Sequence, residues 1–193
     1  MAELSRKGRQ RRQEIIDAAF ESFSRGGFRT ATTADIARDV GLSEAGLLHY
    51  FPTKTDLLLA VLQEREERGR AVMEQQRAAG HDYVEGFLEV LRANAQAPAL
   101  TQLFTVLSAE SITDDHPAHA WFAARYRRLV EEATAEISPD TLPPGIDAET
   151  AARWLIALAD GMRLQWLLDP SVDRVGAVEK LAFLFHQGKD GNG

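Results

Sequence analysis

The sequence predicts an all-α protein of about nine helices, with a small N-terminal domain and a larger helical body. Three observations carry this. Apolar residues recur at three- and four-residue spacing in almost every segment, no stretch alternates apolar and polar residues as a strand would, and the breaks fall at Gly, Pro and Asp. Of 193 residues, 45% are hydrophobic and 26% charged. That composition is globular and too apolar for disorder throughout.

From Arg9 to about Arg25, Ile16, Phe20 and Phe23 recur at helical spacing beside Ile15 and Ala19, and Gly26-Gly27 predicts the stop. Thr32 with Asp35 three residues on predicts a capped short helix to Val40, ended by Gly41. Ser43 caps a second short helix, which must end before Pro52. Thr53 with Asp56 repeats the signature and opens a long connector over 54–80. Its Leu57, Leu58, Val61 and Leu62 face a core, and its later, Glu- and Arg-rich half is solvated. Further helices are expected over 82–96, 99–112, 118–137, 147–168 and 173–187. Pro98, the turn from Asp114 to Pro117, the loop from Pro139 to Gly145 and Asp169-Pro170 separate them. The expected organisation is therefore a domain over 1–53 with a basic arm at 1–12, the connector at 54–80, a body at 81–187 and a loose tail at 188–193.

The chain holds no cysteine, which excludes disulfides, thiolate metal sites and a cysteine nucleophile. Its opening residues lack the apolar core of a signal peptide, and no run is long and apolar enough to span a bilayer. A soluble, cytoplasmic protein is expected. The net charge of −7 is unevenly spread. Residues 1–54 carry nine Lys+Arg against seven Asp+Glu, while residues 55–193 carry 13 against 22. The basic excess sits in Arg6, Lys7, Arg9, Arg11 and Arg12, where no acid interrupts, so one end of an acidic protein is suited to a polyanion.

Residues 33–52 fit a helix-turn-helix frame. Ile36 and Val40 lie one turn apart, Ala37 is small enough for a second helix to cross closely, Gly41 suits a turn with positive φ, and Leu42 and Leu47 fill the space between the helices. The second helix presents Ser43, Glu44, Ala45, Gly46 and His49 outward, small residues that allow close approach to a groove wall. Lys54 sits at a helix start, where free N–H groups favour an anion.

With Gly27-Phe28, Thr32-Thr33, Asp35-Ile36-Ala37, Val40-Gly41-Leu42-Ser43 and the run from His49 to Lys54, the chain resembles the TetR (tetracycline-repressor) family of bacterial regulators over residues 9–60. The segment from Asp160 to Pro170 is similar to a C-terminal pattern of the BetI and AcrR groups. The resemblance implies a homodimer that binds double-stranded operator DNA, an inverted repeat, through a three-helix domain. It also implies a ligand-binding and dimerising body, usually in a repressor. Thr32, Thr33, Tyr50 and Lys54 then stand at phosphate-contacting positions, with Ser43, Glu44, Ala45, Gly46 and His49 along the base-reading stretch. Two positions depart from the pattern. Leu48 replaces a common tyrosine, and Ala34 lacks a long polar side chain, so phosphate contacts and DNA shape carry more of the recognition.

The resemblance also suggests that Phe87, Phe104, Trp121, Phe122 and Trp154 line an effector pocket. Few charges interrupt Leu100 to Ala109, which favours a small, largely apolar effector. Apolar residues on more than one face of 151–168 (Leu155, Leu158, Met162, Trp166), and again Val178, Leu181 and Phe185 near the C-terminus, exceed what a surface helix needs. They are expected to pair with a second subunit. His116 and His119 beside Asp114 and Asp115 are read as a helix-start turn, so no metal and no cofactor are expected. No Ser-His-Asp set, phosphate-cradling glycine loop or His-Glu-x-x-His is present, so no enzyme is expected. The competing readings are a dimeric helical adaptor with a degenerate helix-turn-helix and, behind it, a small helical enzyme.

Overall fold

The computed structural model describes residues 6–186, and its described residues form nine α-helices without a strand. They are α1 (Arg6–Thr30), α2 (Thr33–Asp39), α3 (Glu44–Tyr50), α4 (Lys54–Ala78), α5 (Tyr83–Ala95), α6 (Pro98–Glu110), α7 (His119–Glu136), α8 (Ala148–Leu168) and α9 (Arg174–His186), with a 3₁₀ turn at Pro139–Thr141 before α8. The expected tail at 188–193 and the first five residues of the expected basic arm lie outside the described residues.

Side-chain caps set many of these limits. Thr32 accepts from Asp35 N–H, Ser43 from Gly46 N–H and Asp147 from Thr150 N–H. Complete capping boxes open α4, through Thr53 and Asp56, and α5, through Asp82 and Glu85. Residues 6–12, expected as an arm, are the first two turns of α1, because Arg, Lys and Gln are good helix formers and only Gly8 interrupts them. The α1 path breaks at Gly27, with φ 73° and ψ −177°, a conformation open to glycine.

The chain divides into two units. One comprises the residues up to Glu67 together with Gln102–Trp121, and the other Arg68–Thr101 together with Phe122 onward. The sequence placed 102–121 with the C-terminal body. In the structure this stretch packs with the N-terminal residues, so α4, α6 and α7 each contribute to both units.

In the first unit Ile15, Ile16, Ala19 and Phe23 of α1, Ile36 and Ala37 of α2, Leu47 of α3 and Leu57, Leu58, Val61 and Leu62 of α4 are buried. The α4 residues follow the i, i+1, i+4, i+5 pattern of one helix face. In the second unit Tyr83, Val84 and Leu88 of α5, Ala151, Ala152, Leu155 and Ala159 of α8, and Val178, Ala182 and Phe185 of α9 form one core cluster.

That packing corrects part of the expected dimer face. Leu155, Val178 and Phe185 are at most 3% exposed inside their own chain, because α9 packs on both α8 and α5 and covers their inner stripes. Leu158, Met162, Trp166 and Leu181 are half-buried. The outward apolar residues of these helices are Trp154, Leu164 and Leu168 on α8 and Phe183 and Leu184 on α9.

Candidate nucleic-acid interface

The α2–α3 turn is built from three backbone bonds. Val40 and Leu42 N–H donate to the Ala37 carbonyl and Gly41 N–H to that of Arg38, with Gly41 at φ 67°. This closure satisfies the end of α2 and reverses the chain within three residues, so α3 crosses α2 over Ala37, which is 1% exposed. Leu47 is buried between the helices, while Val40 and Leu42 are half-covered.

The outer side of α3 is open. Ser43, Glu44, Ala45 and His49 are exposed, and Gly46 and Leu48 are partly covered. The His49 ring meets Tyr50 edge-on at 5.7 Å. Thr33 donates its hydroxyl to the Glu44 carboxylate, linking the start of α2 to the start of α3. Thr32 is exposed, and its hydroxyl donates to the Asp35 carboxylate, which this bond and Arg38 hold below the usual carboxylate range.

Lys54 is more engaged than its surface position in the sequence suggests. Its ammonium donates to the Ala31 carbonyl at 2.7 Å and lies 4.3 Å from the centre of the Phe28 ring. Burial pushes its pKa down, partly offset by Glu110.

The first turns of α1 frame the same face. Arg11 pairs with Glu14 at 2.7 Å and donates to the Val40 carbonyl at 3.1 Å, which ties α1 to the turn. Arg12 lies 4.8 Å from the Phe51 ring centre. A groove of about 320 Å³ is lined by Lys7, Gln10, Arg11, Glu14 and Tyr50. The partnership of Lys7 and Gln10 with Tyr50 is absent from the sequence reading. Its trace there is the uninterrupted basic run, whose helical face could not be assigned without the fold.

Phe104 and Trp121 pair at 6.2 Å in the first unit. In the second, Phe87 stacks on Tyr83 at 6.4 Å, Phe122 is buried, and Trp154 is 45% exposed, 6.4 Å from Phe185. A groove of about 680 Å³ along α7 and α8 is lined instead by Tyr126, Arg127, Val130, Glu131, Thr134 and Arg153, among others. Among the described residues no three His, Asp or Glu are placed to hold a metal. His116 and His119 turn to Ser111, its hydroxyl and its carbonyl respectively.

Two short capped helices at a tight glycine turn, with a small-residue outer face and basic residues at its edge, define a helix-turn-helix DNA-binding protein. Comparison with known proteins gives the family. Residues 15–61 match the family model described as bacterial regulatory proteins of the tetR family, and residues 81–184 that of the BetI-type transcriptional repressor, C-terminal. The chain belongs to the TetR family of bacterial regulatory proteins and is a DNA-binding transcriptional regulator.

It is 27% identical over 198 residues to the HTH-type transcriptional regulator TtgR of Pseudomonas putida, covering 90% of this chain and 89% of that protein. It is 32% identical over 171 residues to the nucleoid occlusion factor SlmA of Haemophilus influenzae, covering 82% and 76%. A TetR-family regulator from Agrobacterium tumefaciens shares the fold with a TM-score of 0.76 at 20% identity, over 91% of this chain and 97% of that one. No helix among the described residues is long and apolar enough to cross a membrane.

Proposed function

We propose that the chain acts as a homodimeric repressor that binds an inverted-repeat operator and releases it when a small molecule occupies the C-terminal body. The observation that carries this reading is the open outer face of α3, small residues flanked by Tyr50, Lys7 and Lys54. Ser43 to Gly46 and His49 approach base edges, while Thr32, Thr33, Tyr50 and Lys54 engage phosphates. With Ala34 and Leu48 offering no long polar reach, DNA shape contributes much of the specificity. The second subunit packs on the outward residues Trp154, Leu164, Leu168, Phe183 and Leu184, which are 45–80% exposed in one chain. Twofold pairing sets two recognition helices against half-sites about 34–36 Å apart.

The effector is a small molecule of mixed character. The groove along α7 and α8 places Arg127, Arg153, Glu131 and Glu149 beside Tyr126 and Val130, a lining that suits a ligand with both polar and apolar parts. Helix α4, which contributes to both units, couples binding to release with about 1–3 kcal/mol.

Selection from random duplex DNA with the purified protein tests the reading. Enrichment of an inverted repeat, with binding weakened by Tyr50→Phe and by Lys54→Ala, is the expected result. A folded dimer that enriches no sequence contradicts it and favours the adaptor.

A further inference from the structure

Arg174, the first residue of α9, is 8% exposed. Its guanidinium keeps its charge at any physiological pH. It donates to the Thr101 hydroxyl at 2.7 Å and the Asn94 carbonyl at 3.0 Å, and lies 4.1 Å from the Trp166 ring centre. All three partners are neutral, and no carboxylate among the described residues pairs with it. Burial disfavours the charge on Arg174, and a second guanidinium, that of Arg163, disfavours it further. Arg163 pairs with Asp160, whose other oxygen accepts from the Tyr126 hydroxyl at 2.6 Å. The Arg163 Nε is buried and has no partner. The carboxylate paired with Arg163 is thus already shared with Tyr126, and Arg174 has none among the described residues.

Both arginines line a cavity of about 30 Å³ with Leu91, Asn94, Ala159 and Val175. That volume holds about one water or a carboxylate head, with Leu91, Ala159 and Val175 supplying the apolar part of the lining. The carbonyl end of α5, which includes Asn94, offsets only part of the buried positive charge. We infer that this cavity binds the carboxylate end of a small organic acid between Arg174 and the free Nε of Arg163. Arg174 has three further N–H donors, and the guanidinium fork matches a carboxylate in shape as well as charge. The surplus of one positive charge matches a monoanion.

The test uses the full chain without DNA, so its outcome is separate from that of operator binding. Melting temperature and calorimetric binding are compared for butyrate, its neutral isostere butyramide, and chloride at fixed ionic strength. Butyrate is expected to bind and raise the melting temperature, with butyramide and chloride inert. Arg163→Gln is expected to weaken butyrate binding at least tenfold with helicity unchanged. Arg174→Lys keeps the charge, loses the fork and is expected to weaken binding as well. Butyrate acting no more strongly than chloride overturns the proposal, as does Arg163→Gln binding butyrate like wild type.

Discussion

His116 shows how one side chain sets a pH limit. The residue is 5% exposed, and its Nδ1 lies 3.2 Å from the Ala118 nitrogen and 3.0 Å from the Ser111 hydroxyl oxygen. Nε2 has no hydrogen-bond partner, and Glu110 stands 3.7 Å away. Protonation would charge a buried ring. Burial accordingly lowers the pKa, against the opposing pull of Glu110 and Asp115 and with a smaller lowering from Arg29. Below the ordinary histidine value of about 6.5 the unfolded chain binds the proton more readily, so stability is held above that pH and lost as pH falls towards the folded-state value. Denaturant titrations at pH 7.5 and 5.5 should show a larger drop for wild type than for His116→Gln.

Gly27 is the second such residue. A β-carbon there would lie 2.5 Å from a Glu110 oxygen, and that carboxylate accepts from Phe28 N–H at 3.0 Å. Gly27→Ala combines a positive φ with displacement of this bond, and should cost about 1–3 kcal/mol in urea unfolding. The Gly26-Gly27 pair announces a helix end. Its partner, 82 residues away from Phe28, has no local signature, so the reason for the glycine was beyond sequence reasoning.

At the scale of the element, caps make boundaries readable. Thr32, Ser43 and Thr53 each mark a helix start from within three residues, and the observed limits of α2, α3 and α4 follow them. Ser43→Ala removes the bond from Gly46 N–H and should lower stability by about 1 kcal/mol, with the apparent operator affinity falling in parallel. Periodicity told less about which face of an apolar helix meets which neighbour. On α8 and α9 it found a surplus of apolar surface, yet Leu155, Val178 and Phe185 turned inward and Trp154, Phe183 and Leu184 outward. That choice depends on α5 packing against α9, a long-range contact.

For the whole molecule, the charge division and the exposed apolar face define separate tests. Phe183→Glu with Leu184→Glu places charge on residues 60% and 55% exposed, so the fold should persist. Sedimentation should show monomers where wild type is dimeric, and operator affinity should fall because one recognition helix replaces two. Lys7→Ala, on the rim of the Tyr50 groove, should weaken binding uniformly across sequences and reduce the salt slope by about one.

The central claim, that α3 and its basic flanks grip the DNA backbone as a dimer, is tested most directly by titrating the selected duplex at a series of salt concentrations. With about 6–10 phosphate contacts, affinity should fall roughly 10³–10⁵-fold between 50 and 200 mM salt. A flat response over that range would contradict the account.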